Sequence, residues 1–308
     1  MKPVASVLLP IYNGEAYLKP AIESVLSQTS GDWELFIGDN ASTDKTREII
    51  ESYRDPRIRI HRHTTNIGMA PNWDFLLQNA HGDYACILGA DDLFYPTHLE
   101  QKISLLRNCP DAAFVHGPTD IIDAEGKVLR WNTPPEGARD DRDNLLKSFL
   151  KGNLLNIISI VFSLKIIRER KLHFESRFEL MPDWHLWMLL LLLSERVCYD
   201  KQVTTAYRVH DDSITSRRIG SFAWDSQVFE LLLELLRDFQ SEWRQLGIDP
   251  AVEQAQLTSP LWAMAFQRLR KGNWNEAQHY WKIYRQYHGV FEMLRNVPSH
   301  YWKRLLAK

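Results

Sequence analysis

The first hundred residues alternate between short apolar runs and segments whose apolar residues recur at helical spacing. The runs predict four strands and the spaced segments three helices: strands at Ala5–Ile11, Trp33–Gly38, Ile58–Arg62 and Tyr84–Leu88, and helices at Glu15–Ser27, Thr43–Tyr53 and Met69–Ala80. Ser42 is predicted to cap the second helix. Strands that alternate with helices are typical of a parallel sheet wound in right-handed βαβ units, buried on both faces.

After Asp92 the pattern becomes less regular. Strands are predicted at Ala112–Asp123 and Lys127–Trp131, with two more within Val197–Val209, and Asn156–Phe162 is expected to be a strand or a buried segment. Helices are predicted at Pro96–Asn108, Arg142–Leu150, Trp184–Leu193, Phe222–Leu246, Glu253–Lys271 and Asn275–Tyr287. The chain is therefore expected to be an α/β protein with a helical appendage at its carboxyl end.

Composition excludes several classes of protein. The chain has 308 residues and a net charge of −2, which argues against a general nucleic-acid binder. Its three widely separated cysteines are expected to be reduced thiols. Pro10 interrupts the apolar amino terminus, so a signal peptide is not expected, and the apolar run Trp184–Leu193 is too short to span a bilayer. We expect a cytoplasmic protein, soluble or peripheral at the inner face of the membrane.

Three polar clusters follow predicted strands: Tyr12-Asn13-Gly14, Asp39-Asn40-Ala41-Ser42 and Asp91-Asp92. Ligands of parallel sheets bind beyond the carboxyl ends of the strands, so the clusters predict one site. The adjacent carboxylates Asp91 and Asp92 repel one another, and a bound Mg²⁺ or Mn²⁺ would relieve that repulsion while leaving positions for phosphates. The absence of GxGxxG after the first strand disfavours a dinucleotide dehydrogenase, and no P-loop motif is present.

An ordered series of motifs resembles the family 2 glycosyltransferases with the GT-A fold over roughly residues 4–215. The motifs are Ser6–Asn13, Ala21–Gln28, Trp33–Asp39 with Ser42–Asp44, Asn66–Gly68 with Asn72, Gly82–Tyr84, Leu88–Asp92, Pro182–Trp187 and Tyr207–Ser213. The resemblance implies a Rossmann-like, mixed but mainly parallel sheet flanked by helices. It also implies a glycosyltransferase domain at residues 1–218, with a nucleotide-binding half at about 1–110 and an acceptor half at about 111–218. A helical region would fill residues 219–308.

The resemblance also assigns the donor site of a nucleotide sugar, with a UDP-sugar favoured. Asp39 would accept a hydrogen bond from the base, and Tyr12 would lie against it. Asp91 would face the ribose, while Asp92 would bind Mn²⁺ or Mg²⁺ together with His210. The remaining donor-binding residues that it implies are Pro10, Asn13, Asn66, Asn72 and Ala90. Three of the assigned residues also have an ordinary structural interpretation. Tyr12 could be a packed loop aromatic, Asp39 a partner of a helix cap, and His210 a structural histidine.

The same resemblance places the general base of an inverting transfer at Asp183. A carboxylate at the mouth of an apolar helix is partly desolvated, which raises its basicity. The alternative is an acidic residue that merely stabilises a helix amino terminus. Many relatives carry Glu before this aspartate, whereas here the residue is Pro182. The acceptor would be a hydroxyl of a growing glycan or lipid-linked saccharide, as in polysaccharide biosynthesis for the cell envelope.

Two departures from the family pattern concern the donor. The second-strand motif often reads Asp-Asp-Gly-Ser, but here Asn40 removes one charge and Ala41 replaces glycine.

Two other functions remain open: a non-catalytic nucleotide-sugar-binding protein on the same fold, and a nucleotidyltransferase. Retention of Asp92 and Asp183 argues against the first. The loop after the first strand has no basic residue before Lys19, which argues against the second.

The carboxyl-terminal segment 268–308 is basic and rich in Trp and Tyr. Its hairpin, broken at Gly272, is expected to pack aromatic side chains together. The last ten residues, with Tyr301–Leu306 at their centre, have a second interpretation as a peripheral contact with an anionic membrane.

Overall fold

The structure is a computed structural model that describes residues 2–211, 213 and 221–295, with side chains as far as residue 288. Contacts divide the chain into two compact units, Met1–Arg217 and Arg218–Lys308. The first unit contains two sheets with their helices, and the second is helical in the part that the structure describes. The assignment of nucleotide and acceptor roles to residues 1–110 and 111–218 stays a prediction.

The described strands are β1 Ala5–Ile11, β2 Trp33–Asp39, β3 Ile58–Arg62, β4 Tyr84–Ile87, β5 Leu93–Phe94, β6 Ala112–His116, β7 Thr119–Ile122, β8 Val128–Asn132, β9 Val161–Ser163, β10 Arg196–Tyr199 and β11 Thr205–Arg208. Seven form the main sheet, in the order β10-β6-β9-β4-β1-β2-β3. Strand β9 runs antiparallel to β4 and β6, and the other pairs are parallel. This is the mixed, mainly parallel sheet that the sequence predicts.

The helices of the first unit are α1 Leu18–Leu26, α2 Thr46–Ser52, α3 Met69–Gln78, α4 His98–Asn108, α5 Arg142–Phe149, α6 Leu164–Arg170 and α7 Pro182–Leu192. Helix α1 buries Leu18, Ala21, Ile22 and Val25, the face that its spacing predicts. Helix α7 is buried almost all round, as predicted, with Pro182 in its first turn. In the part of the chain that the structure describes, no helix is long and apolar enough to cross a membrane.

A second, four-stranded sheet has the order β5-β11-β7-β8. Strand β5 follows Asp92 directly, so this sheet begins at the aspartate pair. The single strand predicted at Ala112–Asp123 is wrong, because β6 and β7 belong to different sheets. Gly117 lies at the break, where a Cβ atom would approach Lys102 Nζ to 2.5 Å and the Asp200 carbonyl oxygen to 2.8 Å. Pro118 adds a residue without an N–H donor.

The second unit contains α8 Phe222–Asp238, α9 Gln240–Gln245, α10 Pro250–Thr258, α11 Leu261–Arg270 and α12 Trp274–Arg295. Two helices predicted as continuous are interrupted, at Phe239 and at Pro260. Gly272, at φ +81°, makes the turn between α11 and α12, as expected. These helices pack through a small core of Leu261, Ala265, Ala277, Tyr280 and Tyr284. The segment Tyr301–Leu306, for which a membrane contact is predicted, lies outside the described residues.

Candidate functional site

The loops after β1 and β2 hold one another at the carboxyl edge of the main sheet. Ile11 pairs with Asp39 in register, so the two loops leave the sheet side by side. The Asn13 N–H donates to Ser42 Oγ at 2.9 Å, and Asn13 Oδ1 accepts from the Thr43 N–H at 2.8 Å. Asn13, predicted to bind the donor, therefore also fixes the spacing of the two loops. Pro10 lies one pair earlier, opposite Gly38.

Asp39 is buried at the end of β2, with both carboxylate oxygens close to protein groups. Oδ1 accepts from the Ser42 N–H at 2.8 Å, and Oδ2 lies 3.4 Å from Arg62 Nη1. The cap predicted for Ser42 is wrong, because α2 begins only at Thr46 and Ser42 Oγ is occupied by Asn13. Arg62, which the sequence analysis did not single out, thus lies beside Asp39, the residue predicted to bind the nucleobase of the donor. Tyr12 is half exposed, which suits an aromatic ring available for stacking.

Ala41 has the left-handed backbone angle φ +62°. An alanine residue is destabilised by roughly 1 kcal/mol or more in that backbone region, whereas glycine adopts it freely. We expect Ala41→Gly to raise the free energy of unfolding by about 0.5 kcal/mol, since strain relief exceeds the extra entropy of the unfolded glycine. Urea titration measures this change, and Ala41→Val should lower stability. Equal stability of all three proteins would contradict the strain.

A network of amides supports the next loop. Asn40 Nδ2 donates to Asn66 Oδ1 and to the Gly68 carbonyl, each at 3.0 Å. Asn72 is buried, donates to the Gly38 carbonyl at 2.9 Å and lies 3.0 Å from His63 Nε2 through Oδ1. Asn66 and Asn72 therefore hold the wall of the site in shape, and their predicted contact with a donor stays a prediction.

The carboxylates of Asp91 and Asp92 converge above Gly89. A Cβ atom at Gly89 would lie 2.4 Å from Asp92 Oδ2 and 2.9 Å from Asp91 Oδ1, so only glycine leaves room for this arrangement. Asp92 is 2% exposed, and its Oδ1 accepts from the Arg208 N–H at 2.8 Å. Burial, followed by the charge of Asp91, raises the pKa of Asp92 well above its usual range. Ala90, between Gly89 and Asp91, borders Gly14 in the loop after β1.

Arg208 fixes the aspartate pair from β11. Its Nε donates to the Asp91 carbonyl at 2.8 Å, and its guanidinium lies 4.6 Å from the centre of the Tyr17 ring. The Tyr17 ring lies 5.2 Å from the ring of His210, whose Nε2 is 3.1 Å from Asp91 Oδ2. The sequence grouped His210 with Asp92, whereas this contact is with Asp91. Tyr17 and Arg208 were not predicted, although Arg208 stands inside a quoted motif.

The donor atoms at this place suit a divalent cation. Asp92 supplies a carboxylate oxygen, and His210, which lies beside Asp91, supplies an imidazole nitrogen; Mn²⁺ accepts both kinds of ligand. Asp92, buried beside a second carboxylate, is an unfavourable place for an uncompensated negative charge. Within residues 2–211, 213 and 221–295, no group of three or more His, Cys, Asp or Glu side chains forms a metal centre by itself. An ion here would complete its coordination with substrate phosphates and water.

Asp183 lies in the first turn of α7. Asn153 Nδ2 donates to Asp183 Oδ2 at 2.9 Å, and backbone amides of the helix start also stabilise the ionised carboxylate. Burial outweighs these bonds and raises the pKa of Asp183 to about 6. The carboxyl group is thus ionised at neutral pH yet more basic than an ordinary aspartate. Asn153 was not predicted, because it is a single loop residue 30 positions away along the chain.

The pattern of "Glycosyl transferase family 2" matches residues 6–164. An uncharacterized glycosyltransferase of Rickettsia typhi is 30% identical over 225 residues, which span 71% of this chain and 68% of that protein. Two other glycosyltransferase relatives, of Rickettsia felis and Rickettsia bellii, are longer, and the matched region spans only 39% and 30% of them.

Two solved structures share the fold. Residues 1–349 of Staphylococcus aureus TarS, in complex with UDP-GlcNAc, match with a TM-score of 0.64 at 14% identity, covering 92% of this chain and 91% of that one. The mannosyltransferase PcManGT of Pyrobaculum calidifontis, in complex with GDP-Man and Mn²⁺, matches with a TM-score of 0.57 at 17% identity, covering 93% and 87%. These likenesses show the GT-A fold predicted from the motifs.

Proposed function

The chain belongs to glycosyl transferase family 2, and on that premise we propose that it moves a sugar, with inversion, from a nucleotide diphosphate donor to a hydroxyl of a growing glycan or lipid-linked saccharide. The observation that carries the proposal is the convergence of Asp91 and Asp92 above Gly89, at the edge where parallel sheets bind ligands. A UDP-sugar is the favoured donor. UDP-GlcNAc in TarS and GDP-Man in PcManGT support a nucleotide sugar as the class.

The base of the donor would lie against Tyr12 and be recognised by Asp39. The half-exposed Tyr12 ring offers a stacking surface, and Arg62 holds the carboxylate of Asp39 in place from β3. Because Asp39 already accepts from the Ser42 N–H, its orientation is set before any ligand arrives. Such preorganisation lowers the entropic cost of binding.

A divalent cation, Mn²⁺ or Mg²⁺, would be held by Asp92 and His210, while Asp91 would face the ribose of the donor. When bound there, it would offset the negative charge that grows on the departing nucleoside diphosphate. The chain's own contribution is rigidity. Arg208 fixes the carboxylate of Asp92 through its N–H and the backbone of Asp91 through its guanidinium, so the Asp92 carboxylate need not reorganise during the reaction.

Asp183 would be the general base. The acceptor hydroxyl attacks the anomeric carbon as the bond from that carbon to the diphosphate oxygen breaks, and Asp183 takes the hydroxyl proton. A pKa of about 6 keeps the carboxylate ionised at neutral pH and more basic than usual. Asn153 orients it through Oδ2. A lipid-linked acceptor would bring the protein to the inner face of the membrane.

The direct test is a panel of nucleotide sugars with Mn²⁺ and no acceptor. We expect slow release of a nucleoside diphosphate from one donor, as water replaces the missing hydroxyl. Release of pyrophosphate from a nucleoside triphosphate and a sugar phosphate would instead indicate a nucleotidyltransferase. Saturable binding of a donor without any product would indicate the non-catalytic alternative. A protein that neither binds nor cleaves any member of the panel would overturn the proposal.

A further inference from the structure

Trp131 is 71% exposed on β8, the edge strand of the four-stranded sheet. Its neighbour Leu129 is 54% exposed. Tryptophan seldom presents so much of its ring to water, because each aromatic side chain can bury a large apolar area. An indole on the rim of a sheet is therefore a candidate for contact with a ligand.

The register of the sheet connects Trp131 with the aspartate pair. Trp131 lies opposite Asp120, Asp120 opposite Ala206, and Ala206 opposite Leu93. Residues directly opposite one another share a face of the sheet. Three strand spacings separate Leu93 from Trp131, which is about 14 Å. Because Leu93 directly follows Asp92, the row begins one residue after the aspartate pair, passes the buried Ala206 and the partly exposed Asp120, and ends at the exposed indole.

Polar groups accompany the indole on this face. Asp120 is partly exposed, and its Oδ2 accepts from the Tyr95 hydroxyl at 2.7 Å. A sugar ring has apolar C–H groups on its faces and hydroxyls around its rim. The indole of Trp131 suits the C–H face, and the carboxylate of Asp120 with the hydroxyl of Tyr95 suits the hydroxyls. Asp120 would repel a polyanion such as a nucleic acid.

We propose that Trp131 and Asp120 form a subsite for the acceptor saccharide, a few sugar rings away from the aspartate pair. The inference rests on the proposed function and names the acceptor as an oligosaccharide rather than a single sugar. A second copy of the chain is the rival occupant. A bulge in β8, opposite Ile121 and Ile122 of β7, interrupts the edge on which another strand would have to pair.

The test uses the full chain labelled with 5-fluorotryptophan, with the Trp131 resonance identified as the one lost in Trp131→Phe. Chitohexaose, maltohexaose and mannohexaose are titrated in turn, each beside its monosaccharide. We expect one hexasaccharide to shift the Trp131 signal saturably, with the monosaccharide at least about tenfold weaker. Trp131→Ala should weaken binding of that hexasaccharide about tenfold, and Asp120→Ala should also weaken it.

Trp274→Ala, which removes another exposed indole, is the matched control and should leave binding unchanged. No shift with any hexasaccharide, or equal binding by Trp131→Ala and the wild type, overturns the subsite. A concentration-dependent dimer that Trp131→Ala dissolves would also overturn it, in favour of the second copy. Donor hydrolysis does not require the subsite. Wild-type protein that binds the saccharide but cleaves no donor would therefore refute the proposed function alone.

Discussion

Asp92→Ala is expected to lower donor hydrolysis and sugar transfer by about a thousandfold, the scale on which one preorganised electrostatic contact acts in catalysis. The substitution removes one of two carboxylates that converge above Gly89 and frees the N–H of Arg208 that orients it. Mn²⁺ binding, followed by electron paramagnetic resonance in the presence of UDP, should weaken in parallel. Rates come from nucleoside diphosphate release.

Two variants test whether geometry or mere charge matters. Gly89→Ala keeps both carboxylates but adds a methyl group that would clash with Asp92 Oδ2, so it should lose activity nearly as severely. Asp32→Ala removes an exposed aspartate at the opposite edge of the main sheet and should behave as wild type. Full activity of Asp92→Ala, with unchanged Mn²⁺ binding, would refute the assignment of the aspartate pair.

Asp183→Asn is expected to reduce transfer about a thousandfold while sparing donor binding and slow hydrolysis, because only the acceptor hydroxyl requires the base. The wild-type transfer rate should fall about tenfold for each pH unit below about 6, since protonation of Asp183 removes the base. Asn153→Ala should shift this fall in rate to higher pH. The hydrogen bond from Asn153 favours the ionised carboxylate, so its loss raises the pKa of Asp183. A full-rate Asp183→Asn enzyme would defeat the assignment.

Stability supplies an independent readout for Asp183. Its pKa rises from 3.8 in the unfolded chain to about 6 in the fold, so the folded state holds the proton more tightly. Ionisation of Asp183 in the folded state therefore lowers the free energy of unfolding. This loss is largest above pH 6 and disappears as the pH falls below 4. Asp183→Asn should raise the free energy of unfolding by on the order of 1 kcal/mol at pH 7, after allowance for the partial exposure of Asp183, and should leave it unchanged at pH 3.5. A surface aspartate would show no such difference.

The fold of the first hundred or so residues follows from local patterns. Strand β1 begins and ends where its apolar run does, and α1 buries the predicted face, because both are continuous hydrophobic signals. The break between β6 and β7 escaped prediction, since it depends on the crowding of Gly117 by residues far along the chain. Helix α6 was missed because only Leu164 and Ile167 of its seven residues are buried.

The site was predictable in its residue types but not in its contacts. Adjacent Asp91 and Asp92 after a buried strand indicate a charged site from sequence alone. Arg208 bonds to the Asp91 carbonyl across 117 positions, and no local pattern signals such a pair. The role of Ser42 was misjudged for the same reason, because its hydroxyl is claimed by Asn13 from another loop. Spacing reveals which chemistry is present, whereas tertiary contacts decide what each group does.

Strand β9 has a consequence for the order in which this protein folds. It pairs with β4 on one side and β6 on the other, so Tyr84–Ile87 gains its second neighbour only from residues 161–163. On a ribosome, the aspartate pair at the end of β4 would emerge well before the strand that completes its sheet. Such long-range closure slows folding, because the entropy of a long loop is lost before contacts compensate for it. The family match ends at residue 164, directly after this closing strand, and so it reaches into every strand of the main sheet except β10.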